Sequence, residues 1–93
     1  MQSTPSLRQL FFDSNKVLIA ELSAALCAGD LKTALDNAHA IKGAGLLAGF
    51  SALAEAAGEV ETSLLSARFD RAGAAVLRTR RLLGCADRAE PLP

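Results

Sequence analysis

Residues 30–43 read DLKTALDNAHAIKG. Leu31, Ala34, Leu35, Ala38 and Ile41 recur at steps of three and four, the spacing that lines one face of an α-helix. Asp30 stands just before the stripe, where its carboxylate can accept an orphan backbone N–H. From Gly43 to Gly49 the chain holds three glycines, so this helix is expected to end within that segment.

Working outward, the same punctuation repeats. Upstream, Thr4-Pro5 reads as an N-cap followed by proline at the first helical position. Leu7, Leu10, Phe11, Leu18, Leu22, Ala25 and Leu26 follow at helical spacing, and Gly29 is the expected stop. Downstream, Ser51 is the expected cap of a third helix whose inward face is Leu53, Ala56, Ala57, Val60 and Leu64. Asp70 is the expected cap of a fourth, with Ala72, Ala75, Val76, Leu82 and Leu83 on one stripe, Leu77 on its flank and Gly84 as its end. Residues 86–93 are small, polar and proline-containing and read as a frayed tail. No stretch alternates with period two over a convincing length, so no sheet is expected. Short connections make successive helices antiparallel neighbours. The fold class predicted is all-α, an antiparallel up-down-up-down four-helix bundle, as one domain over residues 1–93 with its core at about 5–84.

Composition narrows the chemistry. Apolar residues make up 51% of the 93, with no Trp or Tyr and four Phe, so the core must be built mostly from Leu and Ala. Ten basic residues balance ten acidic ones, which argues against nucleic acid as the partner, because phosphate backbones recruit a basic excess. Arg78, Arg80 and Arg81 form the one basic cluster and read as a solvated helix end that complements the macrodipole. Cys27 and Cys85 lie far apart and make no zinc pattern with the single histidine; two buried free thiols are expected. No apolar run is long enough to cross a bilayer and no signal peptide opens the chain, so no direct membrane contact is expected.

The one histidine, His39, carries the remaining chemistry. On an α-helix, Lys42 and Gly43 lie one turn on along its side, and Leu46 two turns on. Asp36 and Lys32 lie one and two turns back. The core stripe centred near Ala38 is about 100° away around the helix, so His39 is expected on an exposed flank. A neutral imidazole has a free lone pair, a lysine ammonium offsets charge on a transferred group, and a glycine leaves room for a docking surface. Glycine inside a helix costs about 1 kcal/mol against alanine, which marks Gly43 as having a use.

The run from His39 to Glu61, HAIKGAGLLAGFSALAEAAGEVE, resembles the signature of histidine phosphotransfer (Hpt) domains. That family shows H-x-L/I-K-G-S/A, then a glycine, a leucine and an acidic or amide residue at ten, fourteen and twenty-two positions after the histidine. His39, Ile41, Lys42, Gly43, Ala44, Gly49, Leu53 and Glu61 stand at those offsets. The resemblance implies that His39 is phosphorylated at Nε2, that Lys42 sits by the phosphoryl group, and that Gly43 admits the partner's loops. It also implies that Glu61 accepts a hydrogen bond from Nδ1. Two departures, Gly45 and Ala48, are expected to loosen the end of the second helix.

The function implied is a phosphocarrier relaying a phosphoryl group between receiver-domain aspartates. No kinase activity of its own is expected, because the sequence shows no glycine-rich nucleotide loop. No cofactor is expected on this chain, and Mg²⁺ is expected in the partner receiver. Lys32, Leu35, Asp36 and Leu46 are candidate partner contacts. The expected partners are response-regulator receiver domains, or the receiver and kinase domains of a hybrid sensor kinase. The chain is expected to be cytoplasmic, free or as the terminal domain of a membrane-anchored kinase, and monomeric when isolated. Two alternatives stay open. One is the phosphotransfer domain of a chemotaxis-type kinase, which shares the Gly49-Phe50 pair and is phosphorylated from ATP by a separate kinase domain. The other is a non-catalytic helical interaction module. A dimerising kinase hairpin fits less well, because Ala40 stands where that family has an acidic residue.

Overall fold

The computed structural model describes Thr4 and residues 6–88. It holds four helices in chain order: α1 (Leu7–Ala28), α2 (Leu31–Ala48), α3 (Ser51–Leu65) and α4 (Phe69–Arg88). Among the described residues there is no strand.

One turn design is used three times. At the end of α1, Gly29 takes a left-handed conformation (φ 74°) and Asp30 N–H returns to Ala25 O at 2.8 Å. At the end of α2, Gly49 does the same (φ 81°) and Phe50 N–H returns to Gly45 O at 2.8 Å. At the end of α3, Ala67 takes the left-handed role (φ 55°) and Arg68 N–H returns to Ser63 O at 2.8 Å. Each is a six-to-one closure that satisfies orphan helix carbonyls. Its last residue immediately accepts the first bond of the next helix: Ala34 N–H to Asp30 O, Ala54 N–H to Phe50 O, and Ala72 N–H to Arg68 O. Ala67 carries a Cβ in this conformation, which costs about 1–2 kcal/mol that glycine would avoid.

This economy of turns explains why several expected caps lie elsewhere. Asp30 does cap α2, accepting from Thr33 N–H at 3.2 Å and from the Thr33 hydroxyl at 2.7 Å. Those bonds, the hydroxyl's first, hold its carboxyl below the usual carboxylate range. Ser51, however, is the first residue of α3. Phe50 holds the cap position without a side-chain bond, because the closure of α2 already delivers it there. Asp70 falls in the first turn of α4 rather than at its cap, for the same reason at Arg68. Thr4 is not the cap of α1 either. Ser6 is extended (φ −70°, ψ 159°) and its Oγ accepts from Gln9 N–H at 3.0 Å; Pro5 lies outside the described residues.

Gly84 does not end α4, which continues to Arg88. The extra turn is clasped to α1. Arg8 Nη2 donates to the carbonyls of Ala86 (3.0 Å) and Asp87 (3.2 Å), filling acceptors that a helix end leaves open. Lys16 Nζ reaches Asp87 Oδ2 at 2.6 Å. Ala86–Arg88 are therefore helix rather than frayed tail, and the remaining residues of the expected tail, 89–93, lie outside the described part.

The core runs along the bundle axis: Phe12, Ile19, Leu22 and Ala25 from α1, Ala34, Ala38 and Ile41 from α2, Leu53, Ala57, Val60 and Leu64 from α3, and Ala72, Ala75, Val76 and Leu83 from α4. Phe11, Phe12 and Phe50 cluster, with Phe11 edge-on to Phe12 at 5.0 Å and stacked on Phe50 at 5.1 Å. Leu7, Leu10 and Leu31, expected to face inward, are exposed, as are both free thiols, Cys27 and Cys85. The basic cluster is no helix end: Arg78 pairs with Glu59 across α3 at 3.1 Å, and Arg80 donates to Ser23 Oγ of α1 at 2.8 Å. Among the described residues, no helix is long and apolar enough to cross a membrane.

Candidate functional site

The site is made by the register of α2 against α3. Near the C-terminal end of α2, Gly45 is buried and the α3 backbone passes so close that an added Cβ would lie 3.1 Å from Ala54 N and 3.2 Å from Phe50 O. Gly45 therefore does not loosen α2; its missing side chain lets the two helices touch. One turn back along α2, the stem of Lys42 lies over Gly58, its Cδ 3.7 Å from where a Cβ would stand. One turn further back, His39 meets Glu61, Nδ1 to Oε2 at 3.1 Å. The two helices run antiparallel, so three successive turns of one meet three successive turns of the other. Residues that are 22 positions apart in sequence thus share a hydrogen bond.

The His39 side chain is 75% exposed and that of Glu61 19%. A carboxylate can only accept, so in the neutral ring Nδ1–H donates a hydrogen bond to Glu61 and the lone pair falls to Nε2 of this largely exposed side chain. The second Glu61 oxygen, Oε1, takes Lys42 Nζ at 3.5 Å. Glu61 is thus a hub holding an imidazole on one oxygen and an ammonium on the other. At Gly43 an added Cβ would meet nothing within 4 Å, so the surface beside the ring is open.

The remaining sequence candidates divide. Leu46 is 61% exposed and lines, with Lys42, a groove of about 860 Å³ between α3 and α4. Lys32 and Asp36 pair with each other at 3.1 Å on the exposed flank one and two turns before His39. Leu35 is half-buried against the core, so it offers only an edge. Gly58 escaped the sequence reading, as did the ion pair between Lys42 and Glu61. The signal for Gly58 was a helix-interior glycine one turn before Glu61, a residue that costs stability unless something lies against it.

Residues 6–90 match the sequence profile of the Hpt domain. The chain belongs to the Hpt domain family. No curated protein and no solved structure gave a significant match. Membership gives this Hpt domain a phosphotransfer role in two-component signalling, in which such domains interact with receiver domains. Among the described residues of the Hpt domain, no group of three or more His, Cys, Asp or Glu side chains is placed to hold a metal ion.

Proposed function

We propose that this Hpt domain is a phosphorelay intermediate with His39 as its carrier. Nε2 attacks the phosphorus of a receiver's aspartyl phosphate. The P–N bond forms as the P–O bond to the aspartate breaks, and the electron pair of that bond leaves with the receiver carboxylate. The reverse reaction loads a receiver aspartate. The proton on Nδ1 stays in place throughout, held by Glu61, so the ring need not change tautomer between accepting and giving. Lys42 contributes a point charge to the phosphoryl oxygens, and Gly43 lets the receiver's loops approach. The receiver brings Mg²⁺, which supplies most of the charge stabilisation; this chain presents and orients the imidazole.

The observation that carries the reading is a largely exposed ring whose Nδ1 is tied to Glu61, so that the lone pair falls to Nε2. Leu46, Lys32 and Asp36, with the edge of Leu35, form the docking flank around it, and the domain works as a cytoplasmic monomer. The Gly49-Phe50 pair, which the chemotaxis-type domain shares, here serves the closure between α2 and α3. The test is to incubate the chain with radiolabelled phospho-receivers and, separately, with kinase domains and ATP. Label should pass from a receiver to the wild-type chain and not to His39→Gln. Equal labelling of that variant overturns the role of His39, and labelling by kinase domains alone moves the chain to the chemotaxis-type reading.

A further inference from the structure

The stem of Lys42 does not extend into solvent along α2. It lies across α3, with Cδ at 3.7 Å and Cε at 3.9 Å from the point where a Cβ of Gly58 would stand. Its ammonium reaches Glu61 Oε1 at 3.5 Å, longer than the 2.7–2.9 Å typical of a tight charge-assisted bond. The lysine is therefore seated by its methylenes and only loosely held at its tip. The Gly58 turn is closed by a second bond, since the Thr62 hydroxyl donates to the Gly58 carbonyl at 2.8 Å.

We infer that Gly58 is a positioning residue: it is the seat from which Lys42 alternates between Glu61 in the empty domain and the phosphoryl group once His39 is loaded. The inference rests on the carrier role proposed for His39. A phosphoryl group carries more negative charge than a carboxylate, so its arrival on Nε2 draws the ammonium off Oε1. Glu61 keeps its bond to Nδ1. The stem need not leave α3, so one side chain serves both states while losing little conformational freedom, as a preorganised group should. In the empty domain the same lysine offsets the charge of Glu61 beside the ring.

The test is a double-mutant cycle on phosphoryl transfer from a phospho-receiver. Gly58→Leu, which fills the seat, should slow transfer about fivefold, as should Lys42→Met, the scale of an exposed charge interaction. The double variant should be no slower than Lys42→Met alone, because both remove the same contribution. Gly58→Ala, whose added Cβ makes only ordinary contact with the stem, should recover most of the rate. Wild-type transfer in Gly58→Leu, or a deficit that adds to that of Lys42→Met, overturns the seat. An independent readout needs no variant. In the wild-type chain, nuclear Overhauser contacts between Lys42 Hδ and Gly58 Hα should persist on phosphorylation while the Lys42 ammonium resonance shifts. Loss of those contacts, or an unmoved ammonium, overturns the alternation. A wild-type chain that takes no label defeats the carrier reading and this one with it, whereas a labelled chain with an additive cycle defeats this one alone.

Discussion

Two carboxylates in this bundle are built alike and do different things. Asp87 joins α4 to α1, with Lys16 on Oδ2 at 2.6 Å and Arg8 on Oδ1 at 3.8 Å. Glu61 joins α3 to α2, with His39 on Oε2 at 3.1 Å and Lys42 on Oε1 at 3.5 Å. Each serves two basic partners across an antiparallel pair, and each is largely but not fully covered (30% and 19% exposed). The difference lies in the partners. Lysine and arginine spend their charge on the carboxylate and have no lone pair left, so the Asp87 hub is a clasp. Imidazole bonds through one nitrogen and keeps a second nitrogen free, so the Glu61 hub is a clasp with an open valence. A site needs no special fold here; it needs one partner with something left to give.

The sharpest way to break the comparison is to close the open side. Gly43→Arg should cut transfer at least about tenfold by keeping the receiver's loops from the ring. It should leave thermal stability nearly unchanged, because the position faces open space. Stopped transfer assays with melting curves on the same samples check both halves, and unchanged rates would mean that no partner surface comes close at Gly43.

Removing the hub itself should cost less. Glu61→Ala leaves the imidazole in place but frees Nδ1, so the proton is no longer confined to one nitrogen. Transfer should slow about five- to tenfold, the net worth of one ordinary hydrogen bond, since the His39 ring it holds is largely exposed. Nitrogen NMR of the His39 ring should move from a single tautomer toward a mixture. A ring signal identical to wild type would show that something other than Glu61 sets the tautomer.

The smallest effect belongs to the other carboxylate. Asp87→Asn should leave transfer unchanged and lower the melting temperature near neutral pH by about 1–3 °C. The hydrogen bond from Lys16, then the charges of Lys16, Arg8 and Arg88, hold the Asp87 carboxyl below its ordinary value. A depressed folded-state value means that the stabilisation is present above the unfolded value and is lost as pH falls through the folded one. The gap between variant and wild type should therefore close in acid, below the ordinary carboxylate range. Melting curves recorded from neutral to strongly acidic pH check this, and a gap that widened would reverse the sign.

How far the sequence could be read varied from helix to helix. On α3, Leu53, Ala56, Ala57, Val60 and Leu64 form one uninterrupted stripe, and all five are buried. On α1 the buried face is Phe12, Asn15, Ile19, Leu22 and Ala25. A polar residue breaks that stripe, which drew the reading to Leu7 and Leu10 instead. Asn15 has one of its two buried polar groups partnered, Nδ2 donating to Phe11 O at 2.8 Å, while Oδ1 has no partner among the described residues; no periodicity reveals that bond. Gly84 looked like a stop because nothing near it in sequence announces the partners, 71 to 79 residues away, that hold the last turn of α4. The site divides in the same way. His39, Lys42 and Gly43 are local and were legible from spacing on one helix. Glu61 entered through resemblance to a family pattern, and the Lys42 seat on Gly58 depends on the depth to which Gly45 lets α3 sink against α2.

The clasp at Arg8 and Asp87 has one more consequence. It brings the first turn of the bundle and the last to the same place. A fold whose entry and exit are adjacent occupies little more room in a host polypeptide than a loop does. Such a unit can be strung at the end of another protein or spliced into the middle of one, and His39 would face outward in either setting.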